Sequence, residues 1–275
     1  MDVPNPAIDL DRFRVRGDEF RLADVDPQAT PGFDDGKKAA APLIEANVKR
    51  IEALQEVLYA QGRERLLVVF QAMDAGGKDG TIRACFDGVN PQGVKVASFK
   101  KPTEPELARD YLWRIHAHVP ARGEIAIFNR SHYEDVLVVR VHGWIDQAQC
   151  ERRYRHIREF ERMLVDEGAT IRKFFLHILP DEQRERFQER LDEPTKRWKF
   201  SRADLDERAH WDGYMAAFQD MLRATSTDEA PWYVVPANRN WYRNLVVSTV
   251  VVDTLERLGL VYPEPEEGLD TIELT

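Results

Sequence analysis

The sequence predicts an α/β protein: a parallel sheet of five strands with helices on both faces. Three observations lead there. Short apolar runs at 65–70, 94–99, 124–128, 170–179 and 232–236 have the length and content of strands buried on both faces of a parallel sheet. The stretches between them place apolar residues near a 3.6-residue period, as helices packing by one face do. The first run also ends in a glycine-rich turn that leads into a helix, which is how a βαβ unit begins.

Taken in order, residues 1–35 are rich in Asp and Pro, break at Pro27, Pro31 and Gly32, and read as an irregular arm. Leu43, Val48, Ile51, Leu54 and Leu58 put a helix over 39–61. Leu107, Tyr111, Leu112 and Ile115 share one side of a helix over 104–118. Further helices are expected at 133–141 and 147–167, at 181–191 with Asp181 as N-cap, at 211–223, and at 240–258 with Gly259 at its end. The segment 192–212 breaks the rhythm; it is highly charged and carries Trp198 and Trp211. It reads either as a lid that closes over phosphates or as a solvated helical surface. Residues 260–275 form a tail. No repeat or low-complexity linker divides the chain, so 1–275 reads as a single domain.

The chain has 275 residues and a net charge of −9, from 48 acids against 39 bases. That balance speaks against a nucleic-acid partner, whose surface needs a strongly basic face. An anionic substrate remains compatible if its cations are gathered locally. No apolar run approaches the ~18 residues of a membrane span, and the start lacks a basic region followed by an apolar stretch. Cys85 and Cys150 show no metal or redox spacing, which fits a reducing compartment. A cytoplasmic protein without membrane attachment is expected.

The most informative stretch is 68–82. A buried strand runs into a turn with Gly76, Gly77 and Gly80, then Lys78 opens a helix. Glycines let backbone N–H groups wrap a phosphate, the helix N-terminus adds positive potential, and the lysine reaches the phosphate being moved. Lys78 should therefore be exposed to ligand. The fit to the phosphate-loop pattern is imperfect. Ala72 replaces its first glycine, and Asp79 stands where the Mg²⁺-binding Ser/Thr belongs. Asp74, inside the loop, is a candidate to hold or orient the metal instead. A turn of structural importance only is the plainer alternative.

A second cluster follows the third strand at 129–135. In open α/β sheets ligands gather at the carboxyl ends of strands. Asn129 occupies the usual place of a metal-directed Asp, and Glu134 or Asp135 would then supply the charge. The alternative is a helix start whose dipole favours acids. The seven histidines need no catalytic role. His116 and His118, two apart, would point to different helix faces, and His132 would only support the site from behind.

The loop at 72–81, the stretch 111–114, the run 128–135 and the segment 194–200 together resemble the polyphosphate kinase 2 family, with matching order and spacing over 36 to about 258. The resemblance implies a three-layer P-loop kinase fold like thymidylate kinase, with a helical lid at about 192–212. It also implies Mg²⁺, with Mn²⁺ as an alternative, and reversible phosphoryl transfer between inorganic polyphosphate and nucleotides. The partners are AMP, ADP and ATP, with guanine nucleotides as further candidates. A homo-oligomer, dimer or tetramer, is implied as well. The run 129–135 is closest to the class III branch, which phosphorylates both AMP and ADP; many relatives carry Asp where Asn129 stands.

Carried over by residue, Lys78 grips phosphate, Asp74 manages Mg²⁺ and positions the acceptor, and Arg130 contacts the phosphate chain. The metal set becomes Asp74, Asn129 and Glu134. Ala75, Gly76, Gly77, Lys78, Asp79 and Gly80 form the phosphate cradle. Lys100, Arg114, Arg140, Arg197 and Lys199 extend a cationic path, the last two from the lid. Lys101, Lys196, Arg202, Arg239 and Arg243 belong to the same basic groups. A phosphate acceptor is already ionised, so positioning and charge neutralisation suffice without a base. The competing readings are an ATP-dependent nucleotide kinase of the thymidylate-kinase type and a nucleotide-binding module without turnover.

Overall fold

The computed structural model describes residues 8–269 and residue 272. Residues 1–7 of the expected arm, and 270, 271 and 273–275 of the expected tail, lie outside the described residues. The elements are α1 (Gly36–Gln61), β1 (Arg65–Gln71), α2 (Lys78–Cys85), β2 (Val94–Ser98), α3 (Glu104–Leu107), α4 (Trp113–His116), β3 (Ile125–Asn129), α5 (Val138–Val141), α6 (Gln147–Asp166), β4 (Ala169–His177), α7 (Pro180–Asp192), α8 (Ala203–Ala209), α9 (Trp211–Thr225), β5 (Trp232–Pro236) and α10 (Asn240–Arg257). Short 3-10 turns lie at Leu10–Phe13, Leu22–Asp24, His132–Val136 and Pro194–Lys199.

The expected α/β class and five-stranded parallel sheet are present. Strand order is β2-β3-β1-β4-β5, and every pairing is parallel. β1 is central because nearly all of its side chains can be buried. Leu66, Val68 and Phe70 enter one core with α1 and α10, while Leu67 and Val69 enter the other with α6 and α9. Alternation with a period of two thus feeds both layers. Each such side chain contributes roughly 1.5–3 kcal/mol on burial. The carboxyl ends of β1 and β3 lie side by side, with Phe70 paired to Asn129. That register brings the glycine-rich turn and the 129–135 cluster together.

Burial on both faces does not hold for β2, an edge strand whose Val96 is 54% exposed and whose Lys95 pairs with Glu124 at 2.6 Å. The opposite edge, β5, is covered by the N-terminal segment. Val15 N donates to Trp232 O at 2.9 Å, and Arg14 bridges Tyr233 in antiparallel sense. Such cover removes an open edge.

Three helices differ from expectation. The one at 104–118 is two single turns. Thr103 and Glu106 form a capping box at the first, and Asp110 Oδ1 then accepts from Leu112 N at 3.0 Å, bending the chain. His118 lies outside α4, and His116 and His118 pack edge-on against Phe160 and Phe99, respectively. The helix at 133–141 is broken at Leu137 (φ −106°, ψ −85°) between a 3-10 turn and α5. α7 begins at Pro180, with Leu179 in the cap position, so Asp181 sits in the first turn and is not the N-cap.

Candidate active site

The turn after β1 is tightly built. Gly76 N donates to Met73 O at 2.9 Å, and Ala75 and Gly77 take positive φ (58° and 98°). A Cβ on Gly76 would lie 2.5 Å from Ala72 Cβ; one on Gly77 would lie 2.0 Å from Arg243 Nη1. Glycine is thus required at 77 for both conformation and space. α7 fixes the turn from the side: Gln183 Nε2 donates to Asp74 O (2.8 Å) and Arg186 Nη1 to Ala75 O (2.9 Å).

Lys78 is not exposed as expected. It is 9% exposed, and its Nζ folds back to donate to Ala72 O at 3.0 Å and Met73 O at 3.5 Å. Burial, and next the charge of Arg130, push its ammonium down to about 8; Asp74, Glu134 and Asp79 pull the other way. A polyanion arriving beside it would favour the charged form further.

From β3, Asn129 donates its amide to Asp79 Oδ1. The two departures from the phosphate-loop pattern therefore meet: the acid stands on α2 and the amide on the strand. Arg130, at φ 62°, hydrogen-bonds Phe70 O through its N–H (3.1 Å), and its guanidinium pairs with Asp74. Glu134 first, and Asp74 after it, raise the Arg130 pKa against the cost of burial.

Behind Arg130 lies a buried polar network. Lys173 Nζ reaches Glu161 Oε2 (2.5 Å), Tyr133 OH (2.9 Å) and Thr225 O (2.8 Å), while Tyr133 OH donates to Glu161 Oε1 at 2.6 Å. His132 Nε2 lies 3.3 Å from the same Glu161 oxygen, and burial lowers the His132 pKa. This network clamps 131–133, and with it the strained backbone of Arg130.

The loop, the β3 end, residues 98–101, α7, the 3-10 turn Pro194–Lys199 and the start of α10 line a cleft of about 800 Å³. Nine lysines and arginines face five carboxylates on its walls, in a chain of net charge −9. Local gathering of cations is thus achieved. Asp74, Ala75, Gly76, Gly77, Lys78, Asp79, Gly80, Asn129, Arg130, Lys100 and Lys199 all line it.

Six expected residues do not: Arg202, Arg239, whose Nε donates to Gln28 O at 3.1 Å, and four more. Arg114 is 7% exposed and turned inward, donating to Lys100 O (2.8 Å), so it supports the backbone of Lys100. Arg140 is held by Asp220 (2.6 Å) and Tyr154 (3.1 Å). Arg197 Nε donates to Leu191 O at 2.7 Å and braces the 3-10 turn. Glu134 is half-buried behind Arg130 and acts on the cleft through its charge. Asp135 lies 3.8 Å from Arg114 and 3.7 Å from Arg153, and burial raises it to about 6.

Arg186, Arg190, Glu182, Glu189, Asp204 and Asn240 line the cleft without having been singled out from sequence. For the four on α7 the one sequence signal is charges at helical spacing; Asp204 and Asn240 carry none. No cluster of three His, Cys, Asp or Glu side chains able to hold a metal occurs among the described residues. The cleft carboxylates fit a different arrangement, in which one or two of them share Mg²⁺ with substrate phosphates.

A family model described as polyphosphate kinase 2 matches residues 35–259. The chain is 60% identical to an AMP/ADP-polyphosphate phosphotransferase of Meiothermus ruber, over 96% of this chain and 99% of that one. It is 46% identical to an ADP-polyphosphate phosphotransferase of Rhodopseudomonas palustris, over 92% of each. Among solved structures, polyphosphate kinase 2 from Arthrobacter aurescens superposes with a TM-score of 0.92 at 45% identity, covering 98% of this chain and 95% of that one.

Proposed function

The chain belongs to the polyphosphate kinase 2 family, and we propose that it transfers the terminal phosphoryl group of inorganic polyphosphate reversibly to both ADP and AMP, giving ATP and ADP. It is a polyphosphate:nucleotide phosphotransferase with a P-loop kinase fold. The choice of both acceptors rests on the class III motif with Asn129 and Glu134, and on the relative named for AMP and ADP.

The observation that carries the reading is the cation-rich cleft around a phosphate loop whose Lys78 is buried against Ala72 O. The backbone N–H groups of the turn cradle the phosphoryl group, and Lys78 stabilises the charge it spreads over its oxygens. Arg130, leaving Asp74 for a phosphate oxygen, aligns donor with acceptor. Asp74 and Asp79 would hold Mg²⁺ together with the substrate phosphates, with Asn129 positioning Asp79 through its amide. When bound, Mg²⁺ lowers the repulsion between the two polyanions. The same reading includes a homo-oligomer and a cytoplasmic setting, where the free thiols Cys85 and Cys150 persist. No helix among the described residues is long and apolar enough to cross a membrane.

The test is to incubate the protein with long-chain polyphosphate, Mg²⁺ and either AMP or ADP, with no triphosphate present, and to separate the nucleotides by chromatography. ADP followed by ATP is expected from AMP, and ATP from ADP, with both reactions stopped by chelation. Turnover with ATP as the only effective donor would replace this reading with an ATP-dependent nucleotide kinase.

A further inference from the structure

Arg243 stands in the first turn of α10 and is 3% exposed. Its guanidinium is met by neutral oxygens: Asn240 Oδ1 at 2.7 Å, and Asn244 Oδ1 at 3.1 and 2.9 Å. Among the described residues no carboxylate lies within ion-pair distance of it. Arg172, also without a carboxylate at ion-pair distance among the described residues, lies outside the cleft and is held by Thr254 Oγ1 (3.1 Å) and Ile171 O (2.8 Å). The other two buried arginines near the site are paired. Arg114 has Asp135 at 3.8 Å, and Arg186 has Glu182 at 2.7 Å. Burial, and next the charge of Arg186, push Arg243 down to about 10. A buried cation without a counter-ion is costly to keep.

Its surroundings show where an anion would come from. Arg243 lines the cleft, directly under the phosphate loop. A Cβ at Gly77 would meet Arg243 Nη1 at 2.0 Å and Arg186 Nη1 at 3.5 Å, and one at Gly80 would meet Arg243 Nη2 at 3.4 Å. Two guanidiniums thus press against the loop from the α7 and α10 side. Along that wall Arg190 and Lys199 also lack a carboxylate at ion-pair distance among the described residues. The wall's aromatic ring, Trp198, has the Lys199 ammonium 5.1 Å from its centre. The wall offers charge in preference to a stacking face.

We propose that Arg243, beside a loop that Arg186 holds in place, seats a phosphate of the polyphosphate donor beyond the one transferred at Lys78, and that the donor chain runs on past Arg190 and Lys199. The nucleotide is left the opposite wall, between Phe99, Lys100 and Asn129. This assignment rests on the polyphosphate-donor reading above and adds direction to it. Arginine suits the role because its fork grips two phosphate oxygens at once.

The experiment replaces Arg243 with Met and measures KM for long-chain polyphosphate, KM for ADP and the unfolding temperature without substrates. Loss of a charge-assisted phosphate contact should raise the polyphosphate KM about 10- to 100-fold and leave the ADP KM unchanged. The unfolding temperature should hold or rise, because an uncompensated buried charge has gone. Arg243→Lys, which keeps charge without the fork, should raise the polyphosphate KM by a smaller factor, and it carries the test if the Met variant does not fold. An unchanged polyphosphate KM in either variant overturns the proposal, as does a rise confined to ADP. A wild type that takes no phosphoryl group from polyphosphate would instead sink the donor reading itself.

Discussion

Replacing Lys78 with Met should cut turnover severely and yet make the substrate-free protein more stable at neutral pH. Lys78 is 9% exposed, and its ammonium lies at about 8 against an ordinary 10.5. That depression corresponds to roughly 3 kcal/mol against keeping the charge in the folded site. The folded-state value lies below the unfolded one. Between about pH 8 and 10.5, then, the unfolded chain holds a proton that the folded chain lacks, and stability from this group rises with pH across that window. At pH 7 the cost is present in full. Met fills a similar volume without charge, but it strands Ala72 O and Met73 O, which accept from Nζ at 3.0 and 3.5 Å. Those losses return about 1–2 kcal/mol, leaving a net gain of about 1–2 kcal/mol. For a chain of this size that is a rise of roughly 2–8 °C. Thermal unfolding at pH 7 and pH 10 reads it, and the gain should shrink at pH 10, where wild-type Lys78 is already neutral. Turnover with polyphosphate and ADP should fall by about 100-fold or more. A Met variant that unfolds at lower temperature at pH 7, or that keeps near-normal turnover, refutes the reasoning.

Four more outcomes are expected. Asp74→Asn, which frees Arg130 and removes a cleft carboxylate, should be nearly inactive with weak rescue by raised Mg²⁺; an unchanged Mg²⁺ titration and rate would leave Asp74 a turn-forming residue. Lys173→Met strands Glu161 in a dry site and should cost about 3–5 kcal/mol by denaturant titration, whereas adding Glu161→Gln should restore part of it; a single variant as stable as wild type would contradict this. Lys199→Ala should weaken polyphosphate use and flatten its salt dependence while Arg197→Ala does not, since only Lys199 lines the cleft; equal salt slopes for the two variants would argue otherwise. Glu134→Gln should lower AMP turnover more than ADP turnover, and a constant ratio with both rates reduced would make Glu134 a general support for Arg130.

What the sequence discloses follows the range of the interactions involved. β1 and the turn after it are legible because burial on both faces and the need for glycine are written into adjacent residues. β2 is legible as a strand, but its place at the edge is not: Val96 looks like a core residue until the strand order exposes it. The breaks at Asp110 and Leu137 are local turn chemistry hidden inside helical periodicity.

The cationic path is the harder part. Arg140 looks like a phosphate ligand by charge alone, but its partner Asp220 is 80 residues away and invisible to local reading. Arg186 is the reverse case. It looks like a surface residue of a charged helix, yet its acceptors are Ala75 O, Ala237 O and Asn238 O, brought together only by the fold. The place of Lys78 in the loop is legible, but its burial depends on carbonyls that the turn folds back over it.

The most direct measurement is phosphorus NMR of the wild-type protein with long-chain polyphosphate, ADP and Mg²⁺, with no nucleoside triphosphate added. The predicted result is growth of the ATP γ-phosphate signal matched by an equal loss of phosphate from polyphosphate, with the Asp74→Asn protein silent under the same conditions. Polyphosphate that stays intact, or that decays to inorganic phosphate while ADP remains unchanged, would contradict phosphoryl transfer from polyphosphate to nucleotide.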